Sequence, residues 1–352
     1  MDQAVAIVAL GASTPVGRSA PASAAAIRAG ASMFGEHPYI VHGGGERVRV
    51  ASAPWLDTGL HGLERLAALL CPALDEALAP LASSAPAPPL RCALALALPA
   101  PRPGVAANLP ASLKALLGAR YAPVFSGAAL FPAGHAAGLL AVDAAFRQLQ
   151  AGRLDACAVA GVDSYLDADA LEWLEACDQL HSAGPANNAW GFVPGEAAGA
   201  LLMVRADVAR ARGLPALAMV LGSGAAFETK RIKTEAVCLG EGLTQAFRAA
   251  LQGLPAQGQV SDVYCDMNGE PYRADEYGFT CLRMRGAFVS PTDFVAPADC
   301  WGDVGAASGP LHLMLPVLAG CKGYARGPLA FACASSEGGE RAAVLLAIGT
   351  GD

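Results

Sequence analysis

Short apolar runs bounded by glycine or proline alternate with stretches of helical spacing along the whole chain. Residues 4–10 carry Val5, Ile7 and Val8 ahead of a turn from Gly11 to Gly17, and predict a strand. A helix is expected over 19–28, ended by Gly30. Leu63, Leu66, Leu69 and Leu70 recur at helical spacing within 59–81, and a proline-rich connector follows at 82–89. Residues 90–98 alternate and turn at Pro99-Ala100-Pro101, which reads as a strand. A helix over 110–117 and a strand over 123–131 lead through a glycine-rich turn to a buried helix over 136–151. Buried strands are expected at 156–161 and 201–204, then a basic helix end at Arg210-Ala211-Arg212-Gly213.

The plan then repeats. Strands are expected at 218–221, 261–266, 329–335 and 342–348, with helices at 242–251 and 305–318, the latter opened by a glycine-rich turn. Strand–helix alternation of this kind predicts mostly parallel sheets covered by helices. Two successive rounds, dividing near 205–215, point to a duplicated unit with halves 1–209 and 210–352.

Composition sharpens this picture. Hydrophobic residues make up 54% of the 352 and charged residues 16%, so most elements are buried on more than one side, as in a layered α/β protein. A formal charge of -7 without a run of Lys or Arg argues against nucleic acid or an anionic membrane as partner. The longest apolar stretches, 92–100 and 128–142, fall short of the roughly 20 residues of a spanning helix. With no signal-like start, a cytoplasmic protein is expected. Ten cysteines stand singly, without a CxxC spacing or a histidine cluster, so no metal and no disulfide framework is expected.

Six fragments carry a resemblance. The first is the opening strand with Gly11-Ala12-Ser13-Thr14-Pro15-Val16-Gly17. The second runs from Gly134-His135-Ala136-Ala137-Gly138 to Ala160-Gly161-Val162-Asp163. The third is 182–200, with Gly191-Phe192-Val193-Pro194-Gly195-Glu196-Ala197-Ala198-Gly199-Ala200. The fourth and fifth are the loops Asp266-Met267-Asn268-Gly269-Glu270-Pro271 and Trp301-Gly302-Asp303-Val304-Gly305-Ala306-Ala307-Ser308-Gly309, closed by Ser335-Ser336-Glu337-Gly338-Gly339. In this order and spacing they resemble the β-ketoacyl synthases of the thiolase-like superfamily. The resemblance implies a duplicated α/β fold, layered αβαβα with two mostly parallel sheets, and no cofactor.

The family's reaction uses a cysteine held toward thiolate at a helix N-terminus and two histidines that assist decarboxylation and stabilise an enolate. Here the nucleophile position falls on His135, the first histidine on Asn268, and the second on Gly302 or Asp303. An asparagine amide donates a hydrogen bond but relays no proton near neutral pH. Gly134, Gly338 and Gly339 fall on the pocket and oxyanion loops, and Glu337 stands where the family has a gating phenylalanine. Cys265, just before the polar loop, reads either as a buried structural cysteine or, by position, as a substitute nucleophile, and Cys300 is the next such candidate. The polar stretch Asp266, Asn268, Glu270, Arg273, Asp275 and Glu276 reads either as a solvated loop or as a recognition mouth. Lys230-Arg231-Ile232-Lys233 reads either as a solvated face or as a receiver for an acidic carrier protein.

Two functional readings follow. One is a ketosynthase-like pseudoenzyme acting by binding or assembly, as a partner or adaptor subunit. The other is an acyltransferase, a 3-oxoacyl-carrier-protein synthase relative with a rewired site and an acyl thioester substrate. The resemblance implies a homodimer, with 123–131 as its interface, and names an acyl carrier protein, an active ketosynthase or a secretion-related client protein as further partners.

Overall fold

The computed structural model describes residues 4–83, 90–182 and 188–349. From 84 onward the expected proline-rich connector lies outside the described residues, as do 183–187 of the third resembling fragment. The first half runs β1 (Val5–Ser13), α1 (Ala20–Arg28), β2 (Gly35–Val41), β3 (Arg47–Val50), α2 (Gly62–Ser83), β4 (Cys92–Leu98), α3 (Leu109–Arg120), β5 (Ala128–Pro132), α4 (Ala137–Gln150), β6 (Ala156–Ser164), α5 (Ala168–Ala176), β7 (Glu196–Arg205) and α6 (Ala206–Ala211). The second runs β8 (Ala218–Phe227), α7 (Glu241–Ala250), β9 (Asp262–Cys265), α8 (Pro271–Met284), β10 (Phe294–Val295), α9 (Ala298–Trp301), α10 (Ser308–Cys321), β11 (Leu329–Ser335) and β12 (Glu340–Ile348).

Strand order carries the duplication. The large ladder reads β10-β9-β11-β12-β8-β1-β7-β6-β4-β5, so each five-strand set has the same order from its edge inward. Within each set four strands share one direction, and the fifth, β7 or β12, runs against its two neighbours. The sets meet where Val5, Ala6 and Ile7 pair antiparallel with Val220, Met219 and Ala218. The two expected sheets are therefore joined into one continuous ladder by three residue pairs. A separate β2–β3 hairpin lies outside it.

The ladder folds over a middle layer. Helices α4 and α10 touch strands of both sets, α2 covers β1, β6 and β7 outside, and α7 covers β8 and β12. That is the expected αβαβα layering. The alanine-rich strands suit it because small side chains let helix and sheet backbones approach. A Cβ on Gly161 would sit 2.4 Å from the Ala306 carbonyl oxygen, and one on Gly138 2.4 Å from Pro310 and 2.9 Å from the Gly309 Cα. Gly138 and Gly309, each second in its helix, mark where α4 and α10 cross almost backbone to backbone.

Candidate active site

A glycine turn opens each middle helix. Gly134 takes φ 71°, where a side chain is strained, and one 3-10 turn over Gly134–Ala136 delivers the chain into α4. This buries His135 at 5% exposure. Gly302, at φ 72°, leaves no room for a Cβ, which would lie 2.8 Å from the Val193 carbonyl oxygen. Gly302 therefore offers only backbone, and the side chain delivered to the site is that of Asp303. The backbone of Asp303 is clamped by the 191–200 motif: its N–H donates to Val193 O and its carbonyl accepts from Gly195 N, both at 2.8 Å.

His135, Asn268 and Asp303, distant in the sequence, converge into a closed ionic network. His135 Nε2 lies 2.8 and 2.9 Å from the two Asp303 carboxylate oxygens. Asn268 Nδ2 donates to Asp303 Oδ2 at 2.7 Å, and Gly305 N–H to Oδ1 at 2.9 Å. Arg273, buried on α8, sets Nη2 3.3 Å from His135 Nε2 and donates through Nη1 to Asp266 and the Ser335 carbonyl. Glu270 accepts from Asn268 at 3.0 Å and pairs with Arg273 Nε at 3.4 Å. Burial pushes the Asp303 carboxyl up, yet His135, Arg273 and Asn268 outweigh it and hold it far below the usual carboxylate range. Asp303 is thus a buried anion, fixed on all sides.

Little space is left. Between His135, Cys265, Asp303, Ser308 and His312 a cavity of about 10 Å³ remains, room for one water at most. The amides near the expected oxyanion position are already used. Ala136 N–H donates to Ser336 Oγ at 2.8 Å, and Gly339 N–H closes its own turn onto the Ser336 carbonyl. Gly338 and Gly339 shape the β11–β12 turn, with Gly339 at φ 115°. Glu337 projects from that turn to the mouth, where it meets Lys233. Burial pushes its carboxyl up, but Lys233, then Arg273 and His135, hold it below the ordinary glutamate value.

Both candidate cysteines lie inside the fold. Cys265 is 1% exposed, faces the apolar core under α7 and α8, and burial pushes its thiol far up. Burial likewise raises the thiol of Cys300. Among the described residues, neither thiol is hydrogen-bonded to a basic side chain. Glu228, Cys238 and Glu276 place ligand atoms within 4.8 Å of one another. Glu228 there accepts from Lys230 and Gly242 amides and Glu276 pairs with Arg341, so both carboxylates have work within the fold.

The polar stretch 266–276 is not a solvated loop. Pro271 opens α8, and Glu270, Arg273 and Glu276, three apart, face inward as buried ions. That spacing was the signal: a helical period written in charge rather than in leucine. Sequence reasoning also passed over Gln179, Tyr272 and His312, none of which sits in a resembling motif.

Residues 125–209 match the family model for the β-ketoacyl synthase N-terminal domain. No curated protein sequence matches the chain. Among solved structures, a type II polyketide acyl-carrier protein in complex with its ketosynthase bound to the hexaketide matches at TM-score 0.80 and 15% identity, covering 99% of this chain and 100% of that one. The ishigamide ketosynthase/chain length factor matches at 0.70 and 21%, covering 98% and 99%. A β-ketoacyl synthase from Burkholderia phymatum STM815 matches at 0.75 and 14%, covering 99% and 100%. With the strand order and the middle helices, these likenesses show that the chain has the fold of the ketosynthases over nearly its full length, while the family model reaches residues 125–209.

Proposed function

We propose that this chain is a ketosynthase-like protein that acts by binding or assembly and does not carry out decarboxylative condensation. The observation that supports the reading is Asp303: a buried carboxylate locked to His135, at a position the resemblance gives to the family's second histidine. Another anion there is repelled, and no thiol stands at the helix start to accept an acyl group. In this reading the protein is a homodimer. The strand β5 supports that, being the last in the ladder and paired only with β4. Val124, Phe125, Leu130 and Phe131 are half-buried beside it, and 123–131 carries no charge, an edge that natural sheets cover. No helix among the described residues is long and apolar enough to cross a membrane. Partner classes in keeping with the fold are an active ketosynthase or an acyl carrier protein, the latter seen with the ketosynthase of one structural relative.

The test is decarboxylation of a malonyl-carrier thioester. Turnover at background, unchanged by His135→Ala, is the expected result, and a condensation rate lost in that variant overturns the reading. The alternative, a rewired acyltransferase, draws on the 2.8 Å His135–Asp303 contact, a base-and-orienter geometry. A stable acyl adduct on His135 or Cys265 by intact mass would favour it.

A further inference from the structure

At the mouth of this site one ammonium group is surrounded by side chains from three segments. Lys233 Nζ meets Glu337 and lies 3.2 Å from Glu270 Oε1, with the Tyr272 ring centroid at 4.9 Å. Gln179, just after α5, sets its Nε2 3.3 Å from the same two carboxylate oxygens. Three of these walls are held independently of the lysine. Glu270 is fixed by Asn268, Arg273 and the Tyr272 hydroxyl, and Gln179 by backbone pairing with Phe192 and Leu174. The cation alone comes from an exposed loop, between β8 and α7, where Lys230, Arg231, Thr234 and Val237 face solvent.

We propose that this mouth is a binding site for a primary ammonium, occupied in cis by Lys233, and that a lysine side chain of a partner protein is the ligand that displaces it. The geometry selects the class. Two carboxylate oxygens and an aromatic face around a single nitrogen suit a compact point charge. A guanidinium would need a parallel fork of acceptors, and a hard divalent cation six or more oxygens. The side chain of Lys233 is 24% exposed and that of Glu337 34%, so the site opens to solvent. The inference deepens the binding reading but fails separately from it, since the malonyl assay reports acyl chemistry and not this mouth.

The probe is n-butylammonium chloride, titrated at constant ionic strength against the melting temperature. Lys233→Ala should melt below the parent, and butylammonium should restore it saturably, with a midpoint at least tenfold lower than any effect on the parent. Adding Glu337→Gln should abolish the restoration. Lys233→Met, which keeps the apolar stem, serves in the same titration if the alanine variant does not fold. In the parent protein, saturating butylammonium should speed amide exchange over 229–239 and leave the rest unchanged. Equal responses of parent and variant, restoration matched by sodium chloride, or unchanged exchange in that loop would each overturn the proposal.

Discussion

The two halves place the same device at the same point and load it differently. In the first, Gly134 at positive φ and one 3-10 turn open a 14-residue buried helix. In the second, Gly305 at positive φ and one 3-10 turn open another of 14 residues. At the middle of the turn the first half carries His135 and the second Ala306. Five residues into the helix the first carries Ala141 and the second His312. The packing frame is thus shared, and the polar load is not: the ionic network gathers around one turn, fed by loops of the other half. Such a frame tolerates the loss or exchange of its polar groups because apolar contacts and glycine crossings, not the network, set the helix positions.

The largest expected break in the symmetry concerns the ladder ends, since β5 and β10 occupy equivalent places. Ala128→Asp on β5 should halve the mass seen by light scattering, or aggregate the protein, while Val295→Asp on β10 should leave the mass unchanged. A parent that is a monomer at micromolar concentration removes the interface altogether. Next comes Asp303→Ala, which leaves the His135 ring, the Asn268 amide and the Gly305 N–H without their shared acceptor and, at about 1–3 kcal/mol for each buried donor left unpaired, should cost about 3–5 kcal/mol in denaturant unfolding. A cost under about 1 kcal/mol would mean the network is solvated.

The third expectation is a pH slope contributed by the second middle helix. Burial, with partial relief from Asp266, pushes the His312 pKa down to about 4, and His135 and Asp303 also face it. An unfolded chain takes up this proton near pH 6.5 and the folded one only near 4. Stability is therefore full above 6.5 and falls as pH drops to 4, by about 3 kcal/mol. The Asp303 and Glu337 carboxyls, both depressed, lose their contribution only further down the acid range. His312→Ala, which copies Ala141 of the twin helix, should flatten the slope between 6.5 and 4; an unchanged slope assigns it elsewhere. Smallest is the glycine pair. Gly138→Ala and Gly309→Ala should each cost about 1–3 kcal/mol, because either Cβ meets the other helix's backbone closer than 3 Å. Unequal costs would show that the crossing is less symmetric than its coordinates.

The frame was legible in the sequence because it is written in apolar periodicity and punctuation. The helix expected at 136–151 spans Ala137–Gln150, and the strand at 329–335 has those bounds. The strand expected at 123–131 is shorter, Ala128–Pro132, since 122–125 form a turn hydrogen-bonded to Tyr121. The site was half legible. Motif positions led to His135, Asn268 and Asp303, but not to their mutual ion pairing, because charges that neutralise each other across 168 residues leave no local pattern. Helix α8 was missed for another reason, since the start of its buried face, Arg273 and Glu276 with Glu270 just ahead, writes the helical period in charge. The fully buried Arg341–Glu276 pair and the largely buried Arg65–Glu196 pair were equally silent in a one-dimensional reading.

The three-pair seam at the centre of the ladder has a consequence for how the chain is made. Val5 pairs with Arg205 and with Val220, so it must wait for neighbours 200 and 215 residues downstream. At about 5–20 residues per second of synthesis, that delay is on the order of 10–40 s. Throughout it, β1 is an apolar strand without either partner. The ribosome-bound chain is therefore open to misassembly at its first strand for as long as both partners of that strand are still to be made.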